Sequence, residues 1–298
     1  MINYGLCDSS HGPFRIDNKG ENMSVNTQVM FTPYEIKDCL FDKERTKNLK
    51  NAINATVKPG DVVLEAGGGT GILSMFALQA GAKHAYIIEL QERFCTVIRE
   101  IAMKNGFADR ITVICGDATA TDMPEQVDVY ISELLCTGLF NEPQVQAYNN
   151  LRKFVKPGGL FIPQKVISSI KFAQAAEYAY DIQINCDSYL AEDITHKELT
   201  TSKEYMSIVF DGDEVETFID SYGEVLPIGL NGVINSGIIS TRAMLTNKIM
   251  ATKTKFLFNP ELLFIDSRVN VDSNTDSIEY ILNYECGCDT RNIKLKVF

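Results

Sequence analysis

Apolar and polar positions divide the chain into two parts with different periods. Up to about residue 164, short apolar runs alternate with stretches at helical spacing. Asp61 to Ala66 is an apolar run between Pro59-Gly60 and Gly67, the pattern of a buried parallel strand. Ile72 to Ala80 is apolar nearly all round and predicts a buried helix, with Gly81 as its C′ residue. His84 to Glu89 reads as the second strand and ends on a carboxylate. Glu92 to Lys104 places Phe94, Val97, Ile98 and Ile101 on one helical face, with Gly106 just beyond. Ile111 to Cys115, Val127 to Ser132 and Leu160 to Pro163 read as three more strands. Pro143 opens a helix before the last of them, ending near Pro157-Gly158-Gly159. Strands alternating with helices predict an α/β, doubly wound parallel sheet.

Upstream, Thr32-Pro33-Tyr34-Glu35 is a helix start. Thr32 can cap, Pro33 suits the first helical position, and Glu35 can reach back to complete a capping box. That helix is expected to run to about Ile53, with Ile36, Leu40, Leu49 and Ile53 inward. Residues 1–25 are polar and aperiodic, as in a terminal arm or lid. Beyond Gln164 the period becomes two. Ile278, Tyr280, Leu282 and Tyr284 alternate with Glu279, Ile281, Asn283 and Glu285, and Ile293, Leu295 and Val297 alternate with Asn292, Lys294 and Lys296. Asp211-Gly212-Asp213, Asn231-Gly232 and Asn259-Pro260 punctuate the runs. A β-rich barrel or sandwich is expected there, with about Ala175 to Tyr205 more helical and polar, as a protruding arm. The expected organisation is an N-terminal arm and helix (1–57), a Rossmann-like domain (58–164) and a β-rich, barrel-like C-terminal domain (165–298).

Composition narrows the function classes. The 298 residues are 45% hydrophobic and 22% charged, ordinary for a globular chain. No apolar run is long enough for a membrane span, and the first residues lack the basic start and apolar core of a secretory signal. The net charge of −11 disfavours nucleic acid as partner and is compatible with a small cationic substrate. The eight cysteines show no metal-like pairing, so no metal is expected, and reduced thiols in a cytoplasmic protein are the expectation.

The turn after the first strand carries the chemistry. A dinucleotide fingerprint requires G-x-G-x-x-G, but the third glycine here comes one residue early, giving Glu65-x-Gly67-x-Gly69-x-Gly71. That spacing resembles motif I of class I S-adenosylmethionine (SAM) methyltransferases. SAM offers an ammonium, a carboxylate and a sulfonium instead of a pyrophosphate, so an acid at Glu65 is useful, and Glu89 at the next strand end can accept ribose hydroxyls. The second constellation is the loop Ser132-Glu133-Leu134-Leu135-Cys136-Thr137-Gly138-Leu139-Phe140-Asn141-Glu142 after the fourth strand. Glu133 belongs at the ligand edge of such a sheet, and Glu142 returns near it at a helix start. Two readings stay open on the residues alone: a paired-acid site, or a strand-end acid and a helix-start acid favoured by the dipole.

These segments together resemble the protein arginine methyltransferases and their bacterial small-molecule relatives. LEAGGGTGILSMFALQAGAKHAY is similar to that family's motif I and its helix, and SELLCTGLFNEP to its double-Glu loop. Asp42-Lys43-Glu44-Arg45 resembles its D-x-x-R, and Gly116-Asp117 its adenine-side segment. The resemblance implies SAM as cofactor and S-adenosylhomocysteine as product. Arg45 would hold the SAM carboxylate and Gly67, Gly69 and Gly71 its methionine portion. Glu65 and Glu89 would complete the pocket, with Asp117 and Ala118 beside the adenine. Glu133 and Glu142 would be catalytic.

The family's Thr-His-Trp loop has no counterpart in the sequence, which contains no Trp, and Leu134 to Thr137 replace the aromatics beside the first Glu. The expected activity is therefore N-methylation of a guanidino group on a small molecule such as free arginine. The alternatives are a small-molecule O- or N-methyltransferase acting on an amine, hydroxyl or carboxylate, and a non-catalytic SAM-binding protein. Relatives are commonly dimers through an arm, which makes a homodimer the expected assembly.

Overall fold

A computed structural model of the chain describes residues 32–298, residue 187 excepted. The expected arm over residues 1–25 lies outside the described residues. Five parallel strands, β1 (Val62–Ala66), β2 (His84–Glu89), β3 (Ile111–Cys115), β4 (Val127–Ser132) and β5 (Val155–Ile162), form one sheet in the order β3-β2-β1-β4-β5. The order reverses at β1, so a crevice opens beyond the carboxyl ends of β1 and β4. β1 is buried along its length, as a run flanked by helices on both faces requires. Three helices pack around it: α3 (Ile72–Gln79), α4 (Glu92–Lys104) and α5 (Gln144–Leu151). The fifth strand begins earlier than expected. Val155 to Gly159 joins it, and the excess residues are absorbed by a register shift against β4 between Val127 and Val129.

The expected N-terminal helix is two helices, α1 (Pro33–Phe41) and α2 (Lys43–Thr56). Thr32 caps α1 in a complete capping box with Glu35, and Pro33 opens it. The break falls at Asp42, which is extended (φ −69°, ψ 96°) and caps α2 through Arg45 N–H at 3.2 Å. Its other oxygen accepts from the Thr254 hydroxyl at 2.6 Å and the Phe256 N–H at 2.9 Å. A helical Asp42 could not serve both ends, so its partners Thr254 and Phe256 decide where the helix divides.

The remainder is β-rich. Its strands are β6 (Lys165–Ala175), β7 (Tyr178–Ala179), β8 (Ile182–Gln183), β9 (Ser188–Leu190), β10 (His196–Glu198), β11 (Lys203–Val209), β12 (Phe218–Val225), β13 (Gly232–Met244), β14 (Met250–Ala251), β15 (Glu261–Val271), β16 (Ile278–Glu285) and β17 (Lys294–Val297). A seven-stranded sheet around β6, β13 and β15 faces the three-stranded sheet β12-β16-β17 across a shared core, where Phe172 meets Tyr280. Among the described residues no ladder joins the two sheets. The helical arm expected over 175–205 is instead short strands. β7 and β8 form a hairpin whose turn residues Tyr180 and Asp181 both have positive φ, matching a two-residue turn of the primed kind.

Cys95 on α4 and Cys115 at the end of β3 meet sulfur to sulfur, a pairing that the sequence pattern does not announce. They are 20 residues apart in sequence, and only the packing of α4 against β3 brings them together. Among the described residues no helix is long and apolar enough to cross a membrane.

Candidate active site

The crevice at the switch point is an open cleft of about 1240 Å³, solvent at its mouth included. The turn after β1 forms its floor. Gly67 and Gly68 N–H both donate to the Ile88 carbonyl at 3.0 and 3.1 Å, which binds the turn to β2. Gly67 has φ +76°, which side chains rarely adopt, and a Cβ there would sit 2.4 Å from Leu134 Cδ2 and push that side chain aside. Gly69 N–H donates to Glu89 Oε2 at 2.8 Å, and Gln91 N–H to Glu89 Oε1 at 2.9 Å. Each Glu89 oxygen thus keeps lone-pair capacity for a ligand.

Glu65 is buried on β1 and accepts from Ser74 N–H in the first turn of α3 at 2.8 Å. Burial pushes its carboxyl up to about 7, against the pull of the Ser74 bonds. Asp117 accepts from the N–H and hydroxyl of Thr119, both at 2.8 Å. Asn150 on α5 donates to the carbonyls of Ala118 at 3.0 Å and Thr121 at 2.9 Å, fixing that loop from behind.

At the other end of the cleft, Glu133 forms an ion pair with Arg45 Nη2. Arg45 Nη1 donates to the Cys39 carbonyl at 3.0 Å, and burial lowers the guanidinium's pKa. Glu142 lies on the same wall, and burial pushes it up to about 7, with the Arg45 charge opposing. The two carboxylates sit unequally, because one holds the guanidinium directly and the other feels it at longer range. Burial would raise Asp42, but the bonds from Thr254, Phe256 and Arg45 N–H outweigh it and hold the acid below its usual range.

Arg45, Glu65, Gly67, Gly69, Glu89, Asp117, Ala118, Glu133 and Glu142 all line this one cleft. Gly71 does not. It adopts φ +72° at the start of α3, where a Cβ would meet Ile98 Cγ2 at 2.9 Å, so close packing accounts for this glycine. Sequence reasoning missed Cys39, Pro143 and Phe256, which also line the cleft. Phe256 comes from Thr254-Lys255-Phe256, a Thr-x-aromatic segment held against Asp42. Its only sequence signal was that spacing, since the element that receives it lies more than 200 positions upstream.

The donor set suits an adenosyl amino acid. At the turn the Glu89 carboxylate keeps acceptor capacity, and a cation and acids lie at the far end. Residues 63–159 match the family described as Methyltransferase domain. An uncharacterized protein of Methanocaldococcus jannaschii, MJ1452, is 32% identical over 262 residues, 87% of this chain and 94% of that one. The probable histone-arginine methyltransferase 1.3 of Arabidopsis thaliana is 46% identical over 154 residues, and the protein arginine N-methyltransferase 1 of Chlamydomonas reinhardtii 38% over 153. The chain belongs to the protein arginine methyltransferase-like class I SAM-dependent methyltransferases.

SAM is the cofactor of this methyltransferase. The fold agrees with a solved structure described as the Trypanosoma brucei PRMT1 enzyme-prozyme heterotetrameric complex with AdoHcy. The TM-score is 0.70 at 18% identity, covering 88% of this chain and 91% of that one. The matches to the named arginine methyltransferases cover half of this chain or slightly less, and only 43% of the Chlamydomonas protein and 29% of the Arabidopsis one.

Proposed function

We propose that this methyltransferase acts on a guanidino nitrogen. The observation that carries the reading is the Arg45–Glu133 pair beside Glu142. The cleft already seats one guanidinium against one of two carboxylates from the same loop, and the second is within range of its charge. An amine or hydroxyl acceptor has no use for two acids. A planar guanidinium presents two donor edges and does. The Arabidopsis and Chlamydomonas relatives named above carry arginine methylation in their names, which supports the same choice.

Bound in the cleft, SAM supplies an electrophilic methyl group. Arg45 binds its carboxylate, Glu65 and the Gly67–Gly69 turn receive its amino-acid portion, Glu89 the ribose, and Asp117 and Ala118 the adenine. Glu133 and Glu142 accept the acceptor's N–H donors and draw positive charge away from the attacking nitrogen. Methylation of that nitrogen would require it to give up one proton. Glu142, with a pKa of about 7, is the group placed to receive it near neutral pH.

A small acceptor was expected because the Thr-His-Trp loop is missing. The segment Thr254 to Phe256 fills a wall of the cleft with an aromatic ring, which removes that ground for rejecting a peptide. Peptidyl arginine is therefore the acceptor tested first and free arginine the second. The reading also includes self-association through the β7–β8 hairpin, whose Tyr178, Tyr180 and Ile182 are exposed, and a cytoplasmic place of action. Incubation with SAM and an arginine peptide, free arginine, a lysine peptide and simple alcohols, read by mass spectrometry, tests the acceptor. Methylation confined to guanidino compounds is expected, and methylation of amines or alcohols instead would overturn the reading.

A further inference from the structure

Glu133 sits where regular structure has run out. Ser132 is the last residue of β4 paired to β1, and the backbone leaves the sheet at the next step. Arg45 pairs with the carboxylate, but something other than the ladder must hold the backbone that presents it. Gln144, at the start of α5, is fully buried, and its single Oε1 accepts from the Leu134 N–H at 3.0 Å and from the Ser132 hydroxyl at 3.1 Å. These are the two residues that flank Glu133. The amide orientation is forced, since the Leu134 N–H can only donate. Leu134 in turn packs on Gly67 of the cofactor turn. Gln144 also stands two residues after Glu142 and donates its own N–H to the Glu142 carbonyl at 2.9 Å.

We propose that Gln144 is the positioning residue of the double-Glu loop, holding Glu133 from both sides and tying it to Glu142 and the cofactor turn. Its Nε2 is buried without a hydrogen-bond partner among the described residues. Burying an unpaired donor is unfavourable, and Met or Leu would fill the same space without it. Simple core filling therefore does not explain an amide here, whereas the need for one oxygen facing two donors does.

The activity test rests on the guanidino reading; the structural test does not. In Gln144→Met the two donors lose their acceptor while volume is kept. We expect kcat for the guanidino acceptor to fall roughly 10- to 100-fold, in line with the effect of a misplacement of about 1 Å. Its KM should rise, and the Kd for S-adenosylhomocysteine should stay within about threefold. Gln144→Glu keeps an acceptor oxygen and should recover most of kcat. A simple packing role would give Met the milder defect and Glu, a buried charge, the worse one, so that order of activities overturns the proposal. Should Gln144→Met not fold, Gln144→Asn withdraws the oxygen by one methylene, and kcat unchanged in that variant also overturns it. Crystal structures of wild type and variant with S-adenosylhomocysteine decide the matter independently of the acceptor. A Glu133 carboxylate that keeps its wild-type position in Gln144→Met or Gln144→Asn sinks the proposal. If wild type methylates no guanidino compound, it is the acceptor reading that has failed, and the crystal structures still judge Gln144.

Discussion

Glu142 should be bad for the fold and good for the reaction, and the two effects can be separated by pH. Its carboxyl ordinarily titrates at 4.5 and is pushed to about 7 by burial in the cleft wall. A raised folded-state value means that the folded protein binds the proton more tightly than the unfolded chain. Below 4.5 both states are protonated and nothing is lost. As pH rises from 4.5 towards 7, the unfolded chain gains the stability of its solvated anion and the folded protein does not, so the net stability falls. Above 7 the penalty is complete. The gap corresponds to about 3–4 kcal/mol at most, and because the residue is only half-buried the effect is discounted to about 1–3 kcal/mol. Glu142→Gln removes the ionisable group and keeps its shape. Urea denaturation of the ligand-free proteins should show the variant more stable by about 1–3 kcal/mol at pH 8 and equal to wild type near pH 4. Methyl transfer by the same variant should fall at least ~100-fold, the low end for loss of a general acid–base group. A variant less stable than wild type at pH 8, or a stability difference that does not change with pH, would refute the burial argument.

Other substitutions probe the rest of the cleft. Arg45→Ala removes a charged donor and strands Glu133, so calorimetry should show SAM binding weakened by about 1.5–3 kcal/mol; unchanged affinity would return Arg45 to a purely structural partner of Glu133. Gly67→Ala places a Cβ 2.4 Å from Leu134 at φ +76°, and S-adenosylhomocysteine binding measured by thermal shift should be lost or reduced at least about tenfold, in keeping with strain of roughly 1–3 kcal/mol. Asp42→Ala leaves Thr254, Phe256 N–H and Arg45 N–H without their acceptor. Denaturation should show a loss of about 1–3 kcal/mol, and proteolysis between Ala251 and Pro260 should accelerate.

What could be read from the sequence was what neighbours in sequence decide. The runs of β1, β2 and β4 announce buried strands because both faces of a parallel sheet are covered. The early third glycine separates this turn from a dinucleotide site, and Thr32-Pro33-Glu35 fixes a helix start by local hydrogen bonds. What could not be read depends on distant partners. The helix break at Asp42 exists because Thr254 and Phe256 reach it from 212 and 214 positions away. Phe256 becomes a wall of the cleft for the same reason. Arg45 was assigned to the cofactor from its place in D-x-x-R, but its pairing with Glu133 follows from how α2 packs beside the loop after β4. The stretch 175–205 misled because short polar strands carry too few apolar positions to show a period of two. Gly71 fits the motif by spacing, yet its contacts are with Ile98 and Ile87.

The measurement that bears most directly on the account is the position of the transferred methyl group. Wild-type protein is incubated with SAM and its best acceptor, and the product is fragmented by tandem mass spectrometry. The account predicts a mass gain of about one methylene placed on a guanidino nitrogen, absent from reactions with Glu133→Gln although that variant still binds S-adenosylhomocysteine. A methyl group found on a hydroxyl, carboxylate or simple amine, formed equally well by Glu133→Gln, would contradict it.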